Sequence, residues 1–136
     1  MPPWPALAYA WTAPNTALGL LLALLCRATG GRVAVVGGVI EAGGGLRWLL
    51  RQAWAGGGGA SAMTLGHVVI AVDTATLDRS RVHERVHVRQ YERWGPLFIP
   101  AYFVAALAAR IRGGCPYFDN RFEREAYSAS HPDRFG

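Results

Sequence analysis

Residues 64–94 read TLGHVVIAVDTATLDRSRVHERVHVRQYERW and carry the most informative pattern in the chain. Its first nine residues, Thr64–Val72, are rich in β-branched side chains and read as a strand. The rest reads as a helical region that ends at Gly95-Pro96, a pair that halts helices. Within that region stand His83, Glu84 and His87, spaced H-E-x-x-H. A strand that leads into a helix bearing chemically capable side chains is the centre of the reading.

Working outward, Pro96 suits the first turn of a further helix that runs to Arg112 and stops at Gly113-Gly114. A last helix fits about Asn120–Ser130. Upstream, Arg32–Glu41 (RVAVVGGVIE) reads as one bent strand or as a tight hairpin about Gly37-Gly38. Leu46, Leu49, Leu50 and Trp54 have helical spacing, so Leu46–Trp54 reads as a short helix, followed by an exposed loop at Gly56–Gly59. Asn15 sits where an N-cap belongs for a helix at about 16–28, which Gly30-Gly31 closes. Pro2, Pro3, Pro5 and Pro14 make residues 1–14 an extended arm whose Trp4 and Trp11 pack on the body. The order predicts an α+β domain spanning 1–136, with a small sheet packed on helices and an apolar N-terminal helix.

Composition narrows the function. At 51% hydrophobic and 17% charged residues the chain has enough apolar surface to fold. All 14 basic residues are Arg, with a net charge of +5, but they form no basic module interleaved with aromatics, so no nucleic-acid partner is expected. Cys26 and Cys115 stand far apart, which excludes a disulfide framework and a cysteine zinc site. Residues 1–26 carry no charged side chain, and nothing basic precedes Arg27 as a secretory signal requires. The apolar runs Ala17–Cys26 and Leu97–Ala109 are shorter than the roughly 20 residues of a membrane span. They are expected to be buried core helices of a cytoplasmic protein. The competing reading is peripheral membrane contact, with both elements dipping into a bilayer.

The chemical signal is the histidine pair. Positions i and i+4 share one helix face, so His83 and His87 can reach one ion from successive turns. Two imidazoles suit Zn²⁺. Glu84 is rotated about 100° from His83, beside the ion, where it can take a proton from an activated water. The plainer reading is a pair of surface histidines supported by Glu84. A catalytic zinc also needs a third protein ligand. His67, His131, Glu123 and Glu125 are candidates, and Glu123 is preferred. Its alternative role is a capping box with Asn120, while Glu125 reads as a solvated or Arg-paired carboxylate. A hydroxyl or imidazole donor for an oxyanion could come from Tyr127, Tyr117 or His131. His67, on the strand, reads as a packed residue.

His83-Glu84-x-x-His87 together with Glu123-Arg124-Glu125-Ala126-Tyr127 resembles the gluzincin metallopeptidases. Glu123-x-x-Ala126 is similar to the E-x-x-A-D element of membrane-associated CAAX-type zinc proteases, with Tyr127 where that element has Asp. The resemblance covers residues 64–130. It implies a zincin-like domain with His83, His87 and Glu123 on zinc, Glu84 as general base and then acid, and a peptide or protein substrate aligned on strand 64–72.

Arg81, Arg85, Arg89 and Arg93 follow at i+4 and face away from the histidine pair, as a solvated, ion-paired stripe or as a contact for anionic lipid or an acidic partner. Gln90 and Trp94 fall on the histidine side. Three functions follow: a zinc-dependent peptidase, a non-catalytic zinc-pinned module, and a membrane-associated interaction protein.

Overall fold

The computed structural model describes residues 4–45 and 62–131, with the side chains of Trp4 and Pro5 left aside. The expected helix at Leu46–Trp54 and loop at Gly56–Gly59 lie outside these residues. The elements are α1 (Trp4–Ala28), β1 (Arg32–Val36), β2 (Val39–Gly43), β3 (Ala62–Leu65), β4 (Val68–Ala71), α2 (Thr74–Trp94), a 3₁₀ turn (Gly95–Leu97), α3 (Phe98–Ile111) and α4 (Arg121–Ser130). This is the α+β class that the sequence predicts.

The four strands pair in the order β1-β2-β4-β3. β1 and β2 form an antiparallel hairpin through Gly37 and Gly38, whose positive φ of 56° and 78° are those of a type I′ turn. Of the two readings of Arg32–Glu41, the hairpin is the observed one. The expected single strand Thr64–Val72 is instead a second hairpin. Gly66, at φ 62°, turns the chain so that Leu65 pairs with Val68. The β-branched composition on both sides made the two strands look continuous. β4 is an interior strand, parallel to β2, and β3 is an edge of the sheet among the described residues, as β1 is on the other side. The single strand 64–72 expected to align a substrate is therefore two strands, and of these only β3 lies at an edge of the described sheet.

Helices cover both faces of the sheet, because β4 is apolar at every position and buried throughout. On one face Val68, Ile70 and Ala42 pack against Ala23 and Cys26 of α1. On the other, Val69, Ala71 and Val39 pack against Leu77 and Val88 of α2. A third cluster joins Tyr91 of α2, Phe98 of α3 and Phe122 of α4. It fixes the last two helices against the outer side of α2.

Residues 4–14 are helical, not an extended arm. Pro5 occupies the first turn, where its missing N–H costs nothing. Pro14 lies inside the helix, at a cost of about 3 kcal/mol. Fastenings on either side of it offset a penalty of that order: Thr12 Oγ1 to His67 Nδ1 (3.0 Å), Asn15 Nδ2 to Gly95 O (2.9 Å) and His67 N–H to Thr16 Oγ1 (3.1 Å). Each is worth about 1 kcal/mol. His67 is thus a packed histidine, stacked on Tyr9 at 4.0 Å. Burial depresses its pKa, opposed by the charge of Glu92. Asn15, expected as an N-cap, is a buried mid-helix residue.

The expectation that both apolar runs are buried core is also corrected. Leu21, Leu24 and Leu25 of α1, and Phe103, Val104 and Leu107 of α3, are exposed.

The arginine stripe serves the sheet. Arg81 and Arg85 both bind the buried carboxylate of Glu41 on β2, at 2.8–3.0 Å. Arg85 also donates to Val36 O at 2.8 Å. Arg93 lies 3.6 Å from Glu125, which agrees with the Arg-paired reading of that carboxylate.

Candidate metal centre

Helix α2 starts at Asp73, whose carboxylate accepts from Thr76 N–H at 2.7 Å, and stops at Gly95 with φ 55°. These ends fix the phase of the helix, so His83, Glu84 and His87 are buried between the sheet and α4. Helix α4 starts at Asn120, whose side chain caps Phe122 N–H at 3.0 Å and donates to Tyr102 O at 3.1 Å. Asn120 is therefore the N-cap that the sequence indicates. The carboxylate of Glu123 does not close a capping box, however; it turns to the histidines.

Three atoms converge. Glu123 Oε2 lies 3.0 Å from His83 Nε2 and 3.2 Å from His87 Nε2, and the two imidazole nitrogens are 3.2 Å apart. Tetrahedral Zn²⁺ with bonds of about 2.0–2.2 Å sets its donors about 3.4 Å apart. The three donors match that spacing to within a few tenths of an ångström, and their chemistry, two imidazoles and a carboxylate, fits the ion. Among the described residues the cluster holds three donors.

The surroundings orient each donor. Gln90 Nε2 donates to Phe122 O at 3.0 Å, which leaves Gln90 Oε1 to accept from His87 Nδ1 at 2.8 Å. That bond places the Nδ1 proton and directs Nε2 into the cluster. Glu123 Oε1 accepts from the Tyr102 hydroxyl at 2.8 Å, so the second oxygen is the one presented to the histidines. Burial and the nearby charge of Glu123 raise the Tyr102 pKa, keeping it a hydroxyl donor.

The charge balance is that of a coupled pair. Burial alone would push the His87 imidazolium down, but its bonds to Glu123 and the Glu84 charge carry its pKa up to about 9. Burial likewise opposes the charge on Glu123, but the hydrogen bonds of His83 and His87 bring its pKa down to about 2. Protons and a cation therefore compete for the same lone pairs.

Glu84 points its carboxylate at β3, where Thr64 Oγ1 donates to Oε2 at 2.6 Å. Tyr91, two turns further along α2, ties its hydroxyl to Thr64 O at 2.9 Å. Tyr127 lies with its ring against His83, centroids 4.5 Å apart, and its hydroxyl 3.1 Å from that of Tyr117. His131, the C-cap of α4, bonds to Ser130, and His67 belongs to the α1 contact; neither is in the donor cluster. Trp94 packs edge-on against Phe122 and does not line the centre.

Sequence reasoning missed Thr64 and Tyr102. Neither carries a local signal, since each meets its carboxylate partner from another element about twenty positions away. Comparison with protein-family models, with curated proteins and with solved structures gives no match. The functional reading therefore rests on the geometry and chemistry of the site.

Proposed function

We propose that the chain is a zinc-dependent peptidase. The observation that carries this reading is the convergence of His83 Nε2, His87 Nε2 and Glu123 Oε2 at 3.0–3.2 Å, with Glu84 next in sequence to one of them. His83, His87 and Glu123 would hold the ion. When bound, zinc supplies Lewis acidity, polarising a carbonyl and making water a nucleophile near neutral pH.

The chain's own residues do the rest. Glu84 takes the proton of the attacking water and delivers it to the leaving amine. Thr64 holds that carboxylate by its hydroxyl and limits its rotation. Gln90 holds a proton on His87 Nδ1, so that Nε2 is the nitrogen that would give up its proton to an ion, and Tyr102 keeps one Glu123 oxygen occupied so that the other faces the imidazoles. Tyr127 is the hydroxyl donor for the developing oxyanion, with Tyr117 orienting it. Among the described residues the cluster has three protein donors, a number that suits a catalytic zinc better than a structural pin.

The test compares wild type with Glu84→Gln. Zinc content by elemental analysis stays the same, while cleavage of a peptide library falls by at least about 100-fold, the scale of a lost general base. Equal cleavage by both proteins would remove Glu84 from the mechanism.

A further inference from the structure

Helix α1 has the reverse of the usual side-chain distribution. Its buried residues include Thr12, Asn15, Gly19, Ala23 and Cys26, at intervals of three or four and all small or polar. Its opposite face carries Leu7, Trp11, Leu18, Leu21 and Leu25, with Leu24 beside them at 68% exposed. In water, a helix turns its large apolar residues inward. Small inward residues with large apolar ones outside are the arrangement of a helix that faces lipid, where close backbone approach does the packing. Gly19 makes such an approach, since a Cβ there would meet Val68 Cβ at 2.7 Å and Leu65 O at 2.8 Å.

Helix α3 also turns large apolar residues outward, although it packs Phe98 and Tyr102 inward. Phe103, Val104, Leu107 and Ile111 are 58–75% exposed at helical spacing, and Leu97 precedes them at 59%. No charged side chain occurs from Gly95 to Ala109. The two faces adjoin where the Trp11 indole lies over Gly95 and Asn15 binds Gly95 O, two residues before Leu97.

Charge selects the occupant. Neither helix contains an acidic residue, and each ends in arginine: Arg27 on α1, and Arg110 with the adjacent Arg112 on α3. Arg110 and Arg112, at the end of the apolar face of α3, can reach anionic headgroups while their stems lie along the apolar surface; Arg27 points away from the outward face of α1. Residues 6–28 are long and apolar enough to cross a membrane. However, the inner face of α1 is taken by the sheet, and strands cannot sit in hydrocarbon with open edges. The helix therefore lies along the interface, not across it.

We infer that the outward faces of α1 and α3 form a seat for an anionic bilayer surface, on which the folded domain rests as a monotopic protein. The seat uses none of the proposed metal donors, so it stands or fails independently of the peptidase reading.

The experiment is flotation of the full chain, carrying Glu84→Gln and treated with chelator, with vesicles of phosphatidylcholine alone or mixed with phosphatidylglycerol. The protein is expected to float with the mixed vesicles. Leu21→Glu with Leu25→Glu, or Phe103→Glu with Leu107→Glu, lowers the bound fraction by about tenfold or more. Arg110→Gln with Arg112→Gln abolishes the preference for anionic vesicles. Brominated lipids should quench wild-type fluorescence more than that of Trp11→Phe, a readout that needs no charged substitution in the fold. The Glu84→Gln protein remaining free of the mixed vesicles would overturn the inference. So would a vesicle-free dimer that the glutamate variants dissociate, because a second copy would then be the occupant.

Discussion

Changing pH tests the coupling between proton and metal most directly. With His87 carried up to about 9, its imidazole holds a proton at neutral pH that an incoming cation must displace. Below pH 9 the apparent dissociation constant for Zn²⁺ then falls about tenfold per pH unit, or about 1.4 kcal/mol, as pH rises. From pH 6.5 to 8.5 the gain is about 100-fold, and the curve flattens above 9. A histidine with the ordinary value near 6.5 would give a flat curve over most of that range. Glu123, brought down to about 2, is already ionised there and adds no slope. Competition against a chromophoric chelator of known protonation constants measures the affinity. Calorimetry in buffers of different ionisation enthalpy counts the protons, and about one is expected at pH 7.5. Constant affinity from pH 7 to 8.5 with no proton released would refute the coupled pair.

The same pair predicts the stability of chelator-treated protein. A raised His87 contributes fully below about 6.5 and loses its contribution as pH rises through about 9. A lowered Glu123 contributes above about 4.5 and fades as pH falls towards about 2. Thermal unfolding should therefore be highest between about pH 4.5 and 6.5 and lose up to about 3 kcal/mol by pH 10, counting the shared interaction once; an unchanged melting temperature across that rise would contradict it. Gln90→Ala frees the His87 ring and should weaken zinc binding about 10–100-fold with little change in the far-UV spectrum; wild-type affinity would show that the amide does not orient the ligand. Gly19→Val forces a side chain into Val68 and Leu65 and should cost about 1–3 kcal/mol in chemical denaturation; a neutral effect would mean that α1 is not seated as closely on β4.

Features that depend on a few neighbouring residues were legible in the chain. Helical pitch puts His83 and His87 on one face whatever else the chain does, and Asn120 followed by an apolar-patterned segment marks the start of the helix that carries Glu123. The spacing of glycines indicated the first hairpin. Where two readings shared one local pattern, sequence could not choose. β-Branched residues on both sides of Gly66-His67 read as one strand, and early prolines read as an arm although α1 runs through Pro14. Contacts that join distant elements emerge only from packing: Glu123 to His83 across forty positions, Tyr102 to Glu123, Thr64 to Glu84, and the two arginines on Glu41. Packing also sets which face of a helix apolar almost all round meets the sheet. That choice rests on how closely Gly19 and Ala23 let two backbones approach, a property of the packed pair and not of either segment alone.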